Sequence, residues 1–182
     1  MTKETALLVV DVQLGVVDWS GPTSKGSDEV LARINELLAK ARVSGSPVIY
    51  VQHDGREAGH PLTPGLPAWE IHPAIAPAVG EIVIHKRACD SFFETPLQNE
   101  LTALGIKHLV VAGCRTQYCI DTTCRSAVAR GYDVTLSKDA HMTVDTDALT
   151  AAQIIAHHNE TLDGLDAGKH VIRVKESRLI TF

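Results

Sequence analysis

Hydrophobic positions along this chain follow two rhythms that take turns. Between residues 27 and 45 the apolar residues Val30, Leu31, Ile34, Leu37, Leu38 and Ala41 recur at spacings of three and four, the period of a helix with one buried face. Ser27 is the expected cap, Asp28 and Glu29 fall in the first turn, and Gly45 is the expected terminator. VIYV at 48–51 then follows as an unbroken apolar run. The same order of amphipathic helix, glycine and short apolar run returns as LQNELTALG before HLVVA and as CRSAVARG before YDVTL, with Gly105 and Gly131 as terminators. Together with ALLVV at 6–10, IVI at 82–84 and HVIRV at 170–174, these runs predict six strands. They are nearly continuous in apolar residues rather than alternating, the mark of strands covered on both faces. The expected fold is therefore α/β: a three-layer, Rossmann-like domain spanning residues 1–182, with a six-stranded parallel sheet and helices on both sides.

Two stretches break this order. Leu14–Gly26 follows the first strand, and Asp54–Gly80 carries five of the eight prolines together with Trp69 and two histidines. Loops of that length in a compact domain are usually functional. Composition narrows what they could serve. The net charge is −5 and no Lys/Arg block appears, so a nucleic-acid partner is not expected. The longest apolar runs fall far short of the roughly 20 residues of a membrane helix. Met-Thr-Lys-Glu-Thr leads straight into a strand pattern instead of a signal peptide, which points to the cytoplasm. In that reducing setting Cys89, Cys114, Cys119 and Cys124 are expected as free thiols.

In an open parallel sheet, ligands bind beyond the carboxyl ends of the strands. Asp11, Lys86 and Cys119 all fall at or just after such ends. Each has a plain alternative: a turn cap, a solvated lysine and a small buried hydrophobe. Their conjunction suggests chemistry. A helix start and a neighbouring cation are expected to lower the thiol pKa. Asp11 can take the thiol proton and return it to a leaving nitrogen, with Lys86 holding Asp11 in place. The backbone amides from Arg115 to Cys119 can hold an oxyanion.

VVDVQ at 9–13, IHKRACDSF at 84–92 and AGCRTQYCIDTTCRSAVARGYDVTLSKDAH at 112–141 resemble, in order, the signatures of the isochorismatase-like cysteine hydrolases, and the resemblance covers nearly the whole chain. It implies that Asp11 is the general base, Lys86 its partner and Cys119 the nucleophile, with Arg115 and Cys119 contributing oxyanion amides. It also implies a cis peptide at Cys114–Arg115, and a homodimer or homotetramer. Nicotinamidases of this family hold a metal through an Asp-x-His pair, and here those positions are His53 and Gly55. The expectation is a metal-independent enzyme with no cofactor, although His53, Asp54, His60 and His72 could regroup around zinc.

A cysteine nucleophile favours attack on the carbonyl of a small-molecule amide, ureide or lactam over the vinyl-ether cleavage of isochorismatases proper. Gln13, Trp19, Trp69, Phe92, Gln117 and Tyr118 are candidate substrate contacts, and Arg115 is either a carboxylate clamp or a surface ion-pair partner. Cys124 is read as packing, and at least one of His157 and His158 as a structural hydrogen-bonder. A binding module with an inert Cys119, or a redox sensor paired with Cys114 or Cys124, remains as a rival class.

Overall fold

The structure, a computed structural model, describes residues 3–18, 26–57 and 59–182. Seven strands form one sheet: β1 (Thr5–Val10), β2 (Val48–His53), β3 (Ile82–Lys86), β4 (His108–Cys114), β5 (Asp133–Met142), β6 (Asp166–Ala167) and β7 (His170–Lys175). Their spatial order is β3-β2-β1-β4-β5-β7-β6. The six expected strands are the parallel ones, while β6 is a two-residue strand that pairs antiparallel with β7 at the edge. Helices α1 (Leu14–Val17), α2 (Ser27–Ser44), α3 (Leu97–Ala103), α4 (Asp121–Ala129) and α5 (Ala151–Leu162) complete the element order, along with short 3₁₀ turns.

Successive side chains of β1 point to opposite faces of the sheet and so seed two cores. Ala6, Leu8 and Val10 pack with Leu97 and Leu101 of α3, with Cys124, Ala127 and Val128 of α4, and with Leu162 of α5. Leu7 and Val9 pack with Leu31, Ile34, Leu37, Leu38 and Ala41 of α2. The helical period read between residues 30 and 41 is therefore the buried stripe of α2. Its cap differs from expectation: Gly26 is the N-cap and Ser27 is already helical and buried. Gly45, Gly105 and Gly131 all carry the positive φ that lets the chain leave a helix.

Two irregularities aim the carboxyl edge. Val10 lies opposite both Val51 and Gly113, so β1 ends between β2 and β4. Gly113 has φ 128°, and a Cβ there would sit 2.1 Å from the Val10 carbonyl oxygen. In β5 the register against β4 shifts, bringing His141 opposite Gly113 and Met142 opposite Cys114. The displaced backbone is braced by Asp139, which accepts from the Ser177 amide at 2.7 Å and the Ser177 hydroxyl at 2.9 Å. Among the described residues no helix is long and apolar enough to cross a membrane.

Gly113→Ala is expected to destabilise the protein by more than about 2 kcal/mol, through overpacking against β1 and an unfavourable φ. Urea denaturation measures this, and an unchanged midpoint would mean that β1 and β4 separate without cost.

Candidate active site

Asp11 is the residue after β1. Its backbone is left-handed at φ 51°, and its N–H donates to the Val51 carbonyl at 2.8 Å. A non-glycine residue pays about 1–2 kcal/mol for that conformation, and the flanking strands hold it there. Lys86 ends β3 opposite His53. Its Nζ lies 2.6 Å from Asp11 Oδ2, and the two side chains are 0% and 3% exposed. The same Nζ donates to the Ala88 carbonyl at 2.9 Å. β4 passes through a cis Cys114–Arg115 peptide, at the expected position, into a single π-helical turn, Thr116–Ile120, that leads into α4. Cys119 lies in that turn, half-buried, within electrostatic reach of Asp11 and Lys86. Three strand ends thus bring the expected acid, lysine and thiol together.

Burial raises the Asp11 pKa well above the usual carboxylate range; the Lys86 charge opposes this rise and Cys119 adds to it. Burial works against the Lys86 charge as well, but Asp11 and Cys119 outweigh it and Lys86 keeps its proton more firmly than usual. The expected lowering of the Cys119 pKa is not found. A hydrogen bond with Cys89, followed by burial, pushes the Cys119 thiol up and outweighs Lys86. That bond pulls Cys89, which is exposed, down to about 6. Cys119 therefore rests as a thiol and needs a base to become nucleophilic. The sequence reading missed Cys89, although it stands three residues after Lys86.

The nucleophile turn is anchored from outside. Thr116 Oγ1 and His141 Nδ1 are 2.9 Å apart, and His141 Nε2 is 3.0 Å from Asn159 Oδ1 of α5. Burial lowers the His141 pKa to about 4, which leaves a neutral bridge between the turn and the helix. The Thr143 hydroxyl donates to Gln117 Oε1 at 2.6 Å. This role of His141 was also missed, since it depends on the register shift in β5.

Cys119 and Asp11 open onto a cavity of about 210 Å³, with His53, His60, Cys89 and Tyr118 among its walls. Val16 of α1 and Leu62 line it too, so both irregular stretches contribute. Of the expected substrate contacts, Tyr118 lines this space. Gln13 does not: it is fully buried, its amide donates to the His53 and Trp69 carbonyls at 3.0 and 2.8 Å, and its oxygen accepts the His53 amide. Phe92 belongs to the core, stacked on Tyr132 under Arg130. Trp69 stacks on His85 and donates to Asp54, and Gln117 anchors the turn. Trp19 lies outside the described residues. Arg115 lines the cavity and also makes an interaction of its own within the protein.

The residues do not fit the metal of the nicotinamidases. His60 Nδ1 accepts the Leu62 amide, His72 Nδ1 accepts the Ala74 amide, and Asp54 accepts from Trp69 and pairs with His85. Among the described residues no three His, Cys, Asp or Glu side chains gather as a ligand set. Within α5, His158 Nδ1 bonds the Ile154 carbonyl as a structural histidine.

Residues 5–166 match the isochorismatase domain, and the chain belongs to the isochorismatase family of hydrolases. It is 40% identical over 144 residues to a streptothricin hydrolase of Streptomyces noursei, covering 79% of this chain and 56% of that protein. It thus spans little more than half the length of that relative. It is 31% identical over 172 residues to the ureidoacrylate amidohydrolase RutB of Caulobacter vibrioides, covering 76% of each. The crystal structure of an isochorismatase from Pseudomonas putida KT2440 superposes with a TM-score of 0.82 at 33% identity, covering 96% of this chain and 89% of that one.

Two outcomes test this geometry. Lys86→Met strands a buried carboxylate and is expected to cost about 3–5 kcal/mol, part of which the Asp11→Asn, Lys86→Met double variant restores. Calorimetric unfolding of both variants checks this; additive losses would contradict a coupled pair. Cys89→Ala removes the bond that raises the Cys119 pKa, so the pH–rate profile for iodoacetamide labelling of Cys119 should move to lower pH. A profile that stays put would mean that the two thiols do not share a proton.

Proposed function

We propose that this protein hydrolyses a C–N bond of a small amide, ureide or lactam through an acyl-enzyme on Cys119. The observation that carries this reading is the buried Asp11–Lys86 ion pair at 2.6 Å, with Asp11 and a half-buried cysteine lining the same cavity. A thiol held for packing alone has no use for a desolvated carboxylate beside it.

Asp11 accepts the Cys119 proton as Sγ attacks the substrate carbonyl carbon. The carbonyl oxygen becomes an oxyanion held by backbone amides of the Arg115–Cys119 turn. When the C–N bond breaks, the proton on Asp11 passes to the leaving nitrogen and a thioester remains. Asp11 then takes a proton from water as the oxygen adds to the thioester, and when the C–S bond breaks that proton passes from Asp11 to Sγ, releasing the acid and restoring the Cys119 thiol and the Asp11 carboxylate. Lys86 keeps Asp11 anionic enough to act and fixes its direction. The names of the streptothricin hydrolase and ureidoacrylate amidohydrolase relatives support the reaction class.

The test is turnover of a panel of amides, ureides and lactams, scored by ammonia or amine release and by mass spectrometry of trapped thioester. Cys119→Ala, Asp11→Asn and Lys86→Met should each lose most of the rate, and pairs of these changes should lose little more. Adduct mass on another cysteine, or turnover that survives Cys119→Ala, overturns the mechanism. Because Asp11 must be ionised to act and its pKa is raised, kcat/KM should fall on the acid side above the ordinary carboxylate range. Activity is expected to withstand exhaustive chelation.

A further inference from the structure

The short segment after Lys86, residues 88–91, is pinned between the buried ion pair and the start of α4. On one side Lys86 Nζ donates to the Ala88 carbonyl at 2.9 Å. On the other, Thr123 of α4 donates its hydroxyl to the Cys89 carbonyl at 3.5 Å and accepts the Ser91 amide at 3.2 Å. Ser126, further along α4, donates to Asp90 Oδ2 at 2.8 Å. Cys89 is thus fixed beside the Cys119 turn by bonds that involve neither sulfur, and both cysteines line the same cavity of about 210 Å³. His60, also in that wall, is seated against the bare backbone of Gly55, where a Cβ would lie 2.2 Å from its Nδ1.

The four thiols of the chain fall into two kinds. Cys114 and Cys124 are fully buried, one in each core, and burial pushes both thiols up, so they stay protonated and away from any dissolved oxidant. Cys89 is exposed, and its contact with Cys119 brings it down to about 6 against the effect of burial. Of the charges that face it, Lys86 favours the thiolate and Asp11 opposes it. At neutral pH an accessible thiolate therefore stands next to the half-buried thiol of Cys119. A solvent-accessible thiolate with a second thiol beside it is the arrangement that reacts with peroxides and then resolves to a disulfide.

We propose that Cys89 and Cys119 form a peroxide-reactive pair, in which Cys89 is oxidised first and Cys119 closes on it as a reversible disulfide. The Cys89 thiolate attacks one oxygen of hydrogen peroxide; the O–O bond breaks, hydroxide leaves, and Cys89 becomes a sulfenic acid, oxidised by two electrons. Asp11 takes the Cys119 proton as Cys119 Sγ attacks the Cys89 sulfur. The S–O bond then breaks, and the departing hydroxide collects that proton from Asp11 and leaves as water. A dithiol reductant returns both thiols and is itself oxidised to a disulfide. Cys89 has no part in the hydrolytic steps, and the disulfide does not depend on them. Its consequence for turnover does rest on that reading: the bond occupies the sulfur that attacks the substrate and shields it from irreversible oxidation.

The test uses the full chain, reduced and then exposed to one equivalent of hydrogen peroxide at neutral pH. Intact mass should fall by two hydrogens, and dithiothreitol should restore it. A non-reducing tryptic digest should join the peptide that starts at Ala88 to the one that ends at Arg125, with fragmentation placing the bond on Cys119 rather than Cys124. In Cys119→Ser, which keeps a hydroxyl beside Cys89, dimedone added with peroxide should tag Cys89. In Cys89→Ser the cross-link should be lost, and excess peroxide should carry Cys119 on to a sulfinic acid that dithiothreitol does not reverse.

The pair is overturned if wild-type Cys119 reaches sulfinic acid while Cys89 stays reduced, if the native cross-link falls on Cys114 or Cys124 or joins two chains, or if dimedone leaves Cys89 of Cys119→Ser unmodified. Turnover of the amide panel separates this inference from the hydrolytic one. A Cys89–Cys119 disulfide that leaves turnover intact would sink Cys119 as the nucleophile and keep the pair. Cys119-dependent turnover that persists in peroxide with both thiols still reduced would sink the pair and keep the hydrolase.

Discussion

Two opposite charges with almost no contact with water form the constraint around which this molecule is arranged. Desolvating a carboxylate and an ammonium costs several kcal/mol each, and only a short, well-aimed contact offsets it. Asp11 and Lys86 achieve that contact at 2.6 Å from strands separated by β2. Their meeting requires the ends of β1, β2 and β3 to stay level, as the pairing of Val10 with Val51 and of His53 with Lys86 keeps them. It also requires Asp11 to turn out of β1 with a left-handed backbone. The loop from Asp54 to Gly80 folds back over this edge, where the Gln13–Ile71 bridge and the buried Gln13 amide tie it to the residues after β1.

The same desolvation shapes the nucleophile. A thiol beside a lysine would ordinarily lose its proton more easily, yet Cys119 holds on to its own because it shares a hydrogen bond with Cys89 and lies out of water. A resting thiol thus stands beside a carboxylate whose hold on a proton burial has strengthened. The turn that carries Cys119 is meanwhile held by neutral groups, Thr116, His141, Asn159 and Gln117, which add no further charge to a crowded electrostatic site.

Much of this was legible in the sequence because it is a matter of order. Apolar runs bounded by helix-ending glycines announce parallel strands, and the residue after each run falls at the ligand-binding edge whatever the side chain. Asp11, Lys86 and Cys119 were found that way. β6 was not, because Asp166–Ala167 is too short to show a period. The extension of β5 to Met142 was not read, because the apolar run breaks off after Leu136 at Ser137, Lys138 and Asp139, and Asp139 is braced only from Ser177. Side-chain partnerships across long sequence separations were beyond reach. Gln13 and Phe92 looked available to a substrate because nothing local reveals that backbone carbonyls take up the first and Tyr132 covers the second. Cys89 and His141 escaped notice for the converse reason, since their partners arrive from other segments.

The contact between Gly55 and His60 bears on how sites of this kind can change. Gly55 stands where the metal-dependent relatives suggested by the sequence carry a histidine, and any side chain there would run into the His60 ring at 2.2 Å. A histidine could be reinstated at 55 only if the residue at 60 gave way at the same time. The two positions form an either-or pair, so single substitutions leading from this cavity toward a metal site would pass through a clash.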